Sequence, residues 1–526
     1  MHCYGSAKNG KLYAAIHRPL LALLCAATFL CAFFSPLKVI AGFGAFALVL
    51  LTFRNPRLTI LFLAVLIPLE PFLLKFVPDD LYLYARYFSE VLVYVVALSV
   101  VAQRVIAWAR GEGGPFARGT GAPLAIVVCL LVLDALFSIL INQTPFTVAL
   151  LGVRQIIRFI ILFAAVALLP PDRVFVKRLI LIVFSLTLFE SALGIFQALI
   201  GTSADHFLIP EVRKVIGDVQ LTTGTNQFWE SGQRVFATMG RYDQLGTFLC
   251  LTLLLGVGML YDHRKPLIAI LHFRLQAVAL FLLGLPALVL TYSRASWFGF
   301  ALGVFVIGWF VKKDKKILFS TLGLASVFFV YLLFSWGVVS QLIDTPRQTV
   351  LERLSESISP ERWRGEYYGL GRLYYIVHTP LDIVSRSPLF GVGPGSYGGG
   401  AVAALHYTEQ YNRAHLPFGI YGTEGYIDNN WFSLWAESGT LGMIFYLWMY
   451  LVLFRMALRT YHNSNDPYVK GLAIGFAAVL IAVAFNAFTS TILEIRTVAF
   501  YLWLYAGFVY VLGEKERTPS PKSLPL

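Results

Sequence analysis

The sequence predicts an all-α fold: a polytopic transmembrane helical bundle of about 14 spans (12–14) carrying a large, partly helical extracytoplasmic loop. Hydrophobic residues make up 58% of the 526 positions, charged residues only 13%, and mean hydropathy is +0.70. A water-soluble chain carries about a quarter charged residues. The apolar residues also arrive in blocks long enough to cross a bilayer, which takes roughly 20 residues per helix. Helices are the reading that suits lipid, because an open sheet cannot satisfy its backbone there.

In chain order the blocks are 19–35, 37–53, 58–76, 88–108, 123–141, 147–169, 177–200, 244–261, 275–291, 296–311, 317–339, 432–454, 471–492 and 497–513. The first two are short enough to form a tight helical pair. No small-residue cleavage site follows the first, so it reads as retained. The chain thus divides into N-terminal spans (1–199), a first loop (200–243), central spans (244–339), a large loop (340–431), C-terminal spans (432–513) and a tail (514–526).

Basic residues give the expected orientation. Lys8, Lys11 and Arg18, Arg54 and Arg57, Arg104, Arg110 and Arg118, and Arg173, Lys177 and Arg178 fall on alternate connections. Arg264, Lys265 and Arg274, Lys312 to Lys316, Arg455, Arg459 and Lys470, and Lys515, Arg517 and Lys522 continue the pattern. The positive-inside rule then puts both termini in the cytoplasm and the two long loops outside. Much of the net charge of +13 is therefore a topology signal and not a nucleic-acid footprint. Cys3, Cys25, Cys31, Cys129 and Cys250 form no disulfide framework and have no metal-site spacing.

The polar residues concentrate in the large loop. Its basic residues are Arg347, Arg353, Arg362, Arg364, Arg372, Arg386 and Arg413, with no lysine. A guanidinium binds phosphate or carboxylate through two parallel hydrogen bonds, which an ammonium cannot do. Nine acidic residues share the loop, so ordinary ion pairing is the competing reading. Its tyrosines have apolar faces and polar tips that suit sugar rings, although membrane-interface anchoring accounts for several equally well. A helical stripe (Leu373, Ile376, Val377, Leu381, Ile383, Val384) breaks at Pro380. Gly391, Gly393 and Gly395 make a tight turn and not a dinucleotide fingerprint, since no strand-turn-helix unit surrounds them. Inside the spans, Asp134, Arg154, Arg158 and Glu190 are costly charges. Matching their depths predicts two ion pairs, Asp134–Arg154 and Glu190–Arg158, with the shallower Arg154 able to face a polar cavity.

Three stretches in order resemble the O-antigen ligase/polymerase family. They are Arg372-Leu-Tyr-Tyr-Ile, Ser387-Pro-Leu-Phe-Gly-Val-Gly-Pro-Gly-Ser-Tyr397, and Asp428-Asn-Asn-Trp-Phe-Ser-Leu-Trp-Ala-Glu437-Ser-Gly-Thr-Leu-Gly442. Thr291-Tyr-Ser-Arg294 resembles the family's Ser-Arg element entering a span, and Arg234 to Arg241 the segment before the preceding spans. The resemblance covers roughly 230–445; each motif alone is weak, and the ordered set is specific.

The resemblance implies a metal-independent, cofactor-free membrane glycosyltransferase of the bacterial inner membrane. Its donor would be an undecaprenyl-diphosphate-linked oligosaccharide. Its acceptor would be another lipid-linked repeat (an O-antigen or exopolysaccharide polymerase) or lipid A-core (an O-antigen ligase). Ligases of the family carry His where this chain has Asp428, which tilts the expectation towards polymerisation. A departing diphosphate needs cations where charge develops, so Arg294 and Arg372 join Asp428 as the expected catalytic set. Asp428 would act as base or orienting group, with helix capping as its structural alternative. Arg241, Arg234, Arg154, Asn429, Glu437 and Tyr397 form the expected substrate-binding set. Expected partners are the lipid-linked glycan, membrane lipid and chain-length or export proteins. The rival readings are a polysaccharide or lipid transporter, a peptidoglycan-type glycosyltransferase and a scaffold protein of an export complex.

Overall fold

Polar caps and prolines set the ends of the apolar blocks. A computed structural model describes residues 35–111, 121–170, 172–210, 214–216, 219–222, 229–261, 271–419 and 427–517. The predicted block 19–35 lies outside these apart from Ser35, whose hydroxyl caps helix α1 (Pro36–Arg54). Asn55 caps α2 (Pro56–Leu73), and α3 (Asp79–Ala109), α4 (Gly121–Asn142), α5 (Phe146–Ile157) and α6 (Ile160–Leu168) follow. Asp172 accepts from the amides of Val174 and Phe175 at 2.9 and 3.1 Å, starting α7 (Arg173–Ile200). Such N-terminal carboxylates satisfy amides that a helix leaves unpaired.

The first long connection holds a short helix, α8 (Thr202–Leu208), and a two-stranded antiparallel hairpin, Lys214–Ile216 with Val219–Thr222. That hairpin is a small departure from an all-helical expectation. Then come α9 (Tyr242–Tyr261), α10 (Leu271–Leu290), α11 (Arg294–Phe305, extended by a π-helical stretch to Val311) and α12 (Lys315–Val339). The large loop contributes α13 (Val350–Ser355), α14 (Pro360–Tyr368), α15 (Arg372–His378), α16 (Gly399–Leu405) and α17 (Glu409–Ala414). The last three spans are α18 (Asn430–Asn463), α19 (Pro467–Asn486) and α20 (Arg496–Arg517).

Among the described residues eleven helices are long and apolar enough to cross a membrane, and twelve if the bent pair α5–α6 counts as one span. The protein is therefore a multi-span membrane protein. The predicted block 147–169 is this pair, bent by 45° at Arg158 and Phe159. At the bend the Arg158 guanidinium donates to the Glu494 carbonyl.

Span α20 is almost wholly buried and α12 has no buried residue in its apolar window, so the bundle is arranged around the last helix. Spans α9 and α19 meet through glycines. A Cβ on Gly258 would collide with the backbone of Gly471 and Gly475, and one on Gly475 would press on Leu254 and Leu255. Small residues of this kind let helix backbones approach closely in lipid.

The two ion pairs predicted from depth are not formed. Arg154 makes a two-pronged contact with Glu90 of α3, both bonds at 2.5 Å, and Tyr94 donates to the same carboxylate at 2.9 Å. Arg158 lies 3.7 Å from Glu90. Glu190 instead accepts from the Thr238 hydroxyl and amide at 2.5 and 3.2 Å, pinning the first long loop to α7. Asp134 lies against Gly442 and has no hydrogen-bond partner among the described residues. Depth along a helix gives height but not the direction a side chain points, and Glu90 and Glu70 compete at similar depth. Glu70 binds Ser89 at 2.6 Å and pairs with Arg496 of α20.

Removing one partner of a buried pair strands the other charge, at a cost of about 3–5 kcal/mol. Glu90→Ala should therefore lower the thermal midpoint in detergent sharply. The double variant Glu90→Leu with Arg154→Leu should recover most of it, and equal losses in both would refute the pairing.

Candidate functional site

The site is assembled where α11 meets the large loop. The Tyr292 backbone takes a left-handed turn (φ 54°) and hands the chain to α11 at Arg294. Beyond α12, Thr349 and Glu352 form a reciprocal capping box that starts α13. Ser359 caps α14, its hydroxyl also donating to the Ser340 and Leu342 carbonyls at 3.1 and 2.7 Å. Glu366 accepts from Arg362 and from the Arg372 amide at 3.0 Å, tying the end of α14 to the start of α15.

These local choices bring five arginines onto four carboxylates in one unbroken chain of contacts. Arg234 reaches Asp344 at 3.3 Å, and Arg353 bridges Asp344 (2.8 Å) to Glu356 (3.1 Å). Glu356, with no exposed surface, also takes Arg294 at 3.2 Å and Arg362 at 3.0 Å. Arg362 leads to Glu366, Glu366 to Arg372, and Arg372 to Asp428, with Nε and Nη2 at 2.9 and 2.5 Å from Oδ2. One positive charge is in excess. The chain runs from a closed end, where Arg353 is 4% exposed, to an open end where the Arg372 side chain is 33% exposed.

Aromatic rings shield the closed end. Arg234 lies 4.8 Å from the Trp229 ring centroid and 4.9 Å from that of Tyr242. Burial pushes the Arg234 guanidinium below the usual arginine range. Burial opposes the charge on Asp344, but Arg353 and Arg234 outweigh it and hold that carboxyl below the usual range.

The glycine turn forms a second, separate device. Gly391, Gly393 and Gly395 all have positive φ (66°, 106° and 75°), a backbone that other residues rarely adopt. Glu437 of α18 clamps the turn, accepting from the amides of Gly395, Tyr397 and Gly398 at 2.8, 3.1 and 2.8 Å. Just beyond, Gly439 (φ 66°) kinks α18 where it meets the Leu389 and Gly391 backbone. The predicted stripe after Gly371 is α15, continued by a π-helical turn over Thr379–Ile383 and so disrupted at Pro380 as expected.

The expected site residues separate into groups. Arg294, Arg372, Arg234 and Asp428 join one network. Arg241, at the start of α9, pairs with Asp243 at 3.0 Å beside Tyr242. Arg154 belongs to the intramembrane pair with Glu90 instead. Tyr397 is fully buried, its hydroxyl 2.9 Å from that of Thr379, so it cannot meet a substrate. Asn429 is also fully buried: it caps α18 and donates to the Phe488 carbonyl at 2.9 Å. Glu437 supports the turn from within. The sequence reading weighed Arg353 and Arg362 only as members of a set, and missed Asp344, Glu356 and Glu366. Their spacing carries a usable signal: Arg353–Glu356 and Arg362–Glu366 are neighbours on helical turns.

Two predictions follow from this geometry. A carboxyl held low when folded contributes stability that is complete above its unfolded value, about 4 for aspartate, and lost as pH falls through the lower folded value. Asp344→Asn should therefore be less stable than the native protein at neutral pH and lose less on acidification, read as Tm against pH. Glu437→Gln keeps one acceptor oxygen for three amides. It should cost about 1–3 kcal/mol for each stranded amide, lowering Tm and weakening activity without touching substrate; an unchanged Tm would contradict the clamp.

Comparison with known proteins bears on the same stretch. No curated protein matches the chain. Residues 279–447 match the family described as O-Antigen ligase. The matched segment includes Arg294, Arg353, Glu356, Arg362, Glu366, Arg372, Asp428 and the clamped turn. Most of the network and the whole glycine turn thus lie in the segment that matches the O-Antigen ligase family.

Proposed function

We propose that the protein is a polysaccharide polymerase, joining undecaprenyl-diphosphate-linked glycan repeats at the outer face of the bacterial inner membrane. The observation that carries this reading is the run of guanidinium–carboxylate pairs from Arg294, at the end of a span, to Glu366, joined through the Arg372 backbone amide to the half-buried Arg372–Asp428 pair. A lipid diphosphate rests at the edge of a span. Arg294, with Arg362 and Arg353 around Glu356, supplies fixed positive charge there. Preorganised charge of this kind is worth most where negative charge develops.

In the proposed reaction the bond between the donor sugar's anomeric carbon and the diphosphate oxygen breaks, and its electron pair leaves with the diphosphate. The acceptor hydroxyl oxygen forms the new glycosidic bond. Asp428, oriented by Arg372, positions that hydroxyl and takes its proton as the bond forms, later releasing it to water. The guanidiniums neutralise the leaving group, and the reaction needs no metal ion or cofactor. Aspartate at position 428, where ligases of the family have histidine, supports polymerisation over transfer to lipid A-core.

The test is the glycan pattern on gels from cells carrying Asp428→Ala or Arg294→Ala, with membrane levels of each variant checked. The expected result is loss of the polymer ladder while single repeats are still made, and undiminished polymerisation by the purified protein in EDTA. Normal free polymer that never reaches its lipid acceptor would favour the ligase reading. Unchanged glycan in both variants would sink the site assignment.

A further inference from the structure

The described tyrosines of the large loop divide into two sets. The hydroxyls of Tyr375, Tyr397, Tyr407 and Tyr411 are each hydrogen-bonded: Tyr375 to the Pro417 carbonyl at 2.7 Å, Tyr397 to Thr379, Tyr407 to Glu409, and Tyr411 to the Tyr397 carbonyl. Those of Tyr367, Tyr368 and Tyr374 have no partner among the described residues. These three lie together across α14 and α15, and their rings form a ladder with His378. Tyr367 stands 5.4 Å from Tyr368 and 5.8 Å from Tyr374, and the Tyr374 ring stacks on His378 at 4.1 Å. Tyr368 is 80% exposed, and Trp363, on the same helix, is 47% exposed. At the ladder's end His378 Nδ1 meets Asp382 at 2.7 Å, putting polar groups beside the ring faces.

We propose that this ladder is a binding site for the saccharide chain of the substrate, holding sugars remote from the one that reacts. Aromatic rings with free hydroxyls offer an apolar face to a sugar ring and hydrogen bonds at its edge. Position argues for the same ligand. Residues two apart on a helix lie about 200° apart around its axis, so Tyr374 is on the far side of α15 from Arg372. A glycan reacting at Asp428 has only the width of one helix to cross, about 10–12 Å, before it meets the rings. Membrane-interface anchoring explains rings with polar tips equally, but not the flanking His378–Asp382 pair. The identity of the ligand as a glycan rests on the transfer reading above.

The test uses the full-length protein in lipid nanodiscs. The probe is the cell's own surface polysaccharide, released from its lipid by mild acid, with binding read by calorimetry and folding checked by thermal melting. Each of Tyr367→Ala and Tyr374→Ala should weaken binding roughly three- to tenfold, while Tyr374→Phe, which keeps the ring face and loses only the hydroxyl, should fall between Tyr374→Ala and the native protein. Native affinity in both alanine variants, or a Tyr374→Phe loss as large as that of Tyr374→Ala, would overturn the ladder. Transfer assays separate the two readings. If the ladder variants lose binding but the native protein elongates no lipid-linked glycan, the ladder stands and the polymerase reading falls.

Discussion

A single carboxylate with no access to solvent, Glu356, organises the loop face of this protein. Left alone, such a buried charge is costly, so it must be met by cations with good geometry. Arg294 comes from a span, Arg353 from α13 and Arg362 from α14, so satisfying one glutamate fixes three elements against each other. The rest of the network extends from that point, inward through Asp344 to Arg234 and outward through Glu366 to Arg372 and Asp428. One positive charge remains after every carboxylate is counted, and the chain is most open to solvent at Arg372. Such a chain suits an anionic ligand entering from the open side.

The glycine turn solves a different problem. The chain must pass close to α18 just where that helix begins, and only residues without a Cβ fit there. A Cβ on Gly391 would run into the Ala436 and Glu437 backbone, and one on Gly439 into Leu389 and Gly391. Glu437 then draws three amides onto one carboxylate. The clamp and the kink at Gly439 together position the start of α18, and so the segment that presents Asp428. Glu437, expected in the substrate-binding set, thus acts through the backbone it holds.

Within the membrane, charge is spent on joining helices. Glu70 links α2 to α20 through Arg496, and Glu90 links α3 to α5 through Arg154. Arg158 ties the α5–α6 bend to the turn before α20 through the Glu494 carbonyl. These contacts gather the N-terminal spans around the last helix. Two arginine systems with similar composition therefore do different work because one is enclosed by helices and the other opens to water.

The sequence by itself determined the class of fold, the positions of most spans among the described residues and the stretch that resembles a known family. Those properties depend on local quantities: hydropathy over one helix length, caps, breakers and a short ordered motif. It also pointed to Arg294, Arg372 and Asp428, through the ordered motifs that resemble the family, and the structure joins these three in one network. Only the tertiary structure decided which charges meet. Depth alone paired Asp134 with Arg154, whereas rotation about the helix axes brings Glu90 there instead. It also buried Tyr397 while leaving Tyr368 exposed and Tyr367 and Tyr374 half-buried, although all four are tyrosines of one loop. A side chain's direction and its neighbours across the chain depend on packing at long range, which no local pattern encodes.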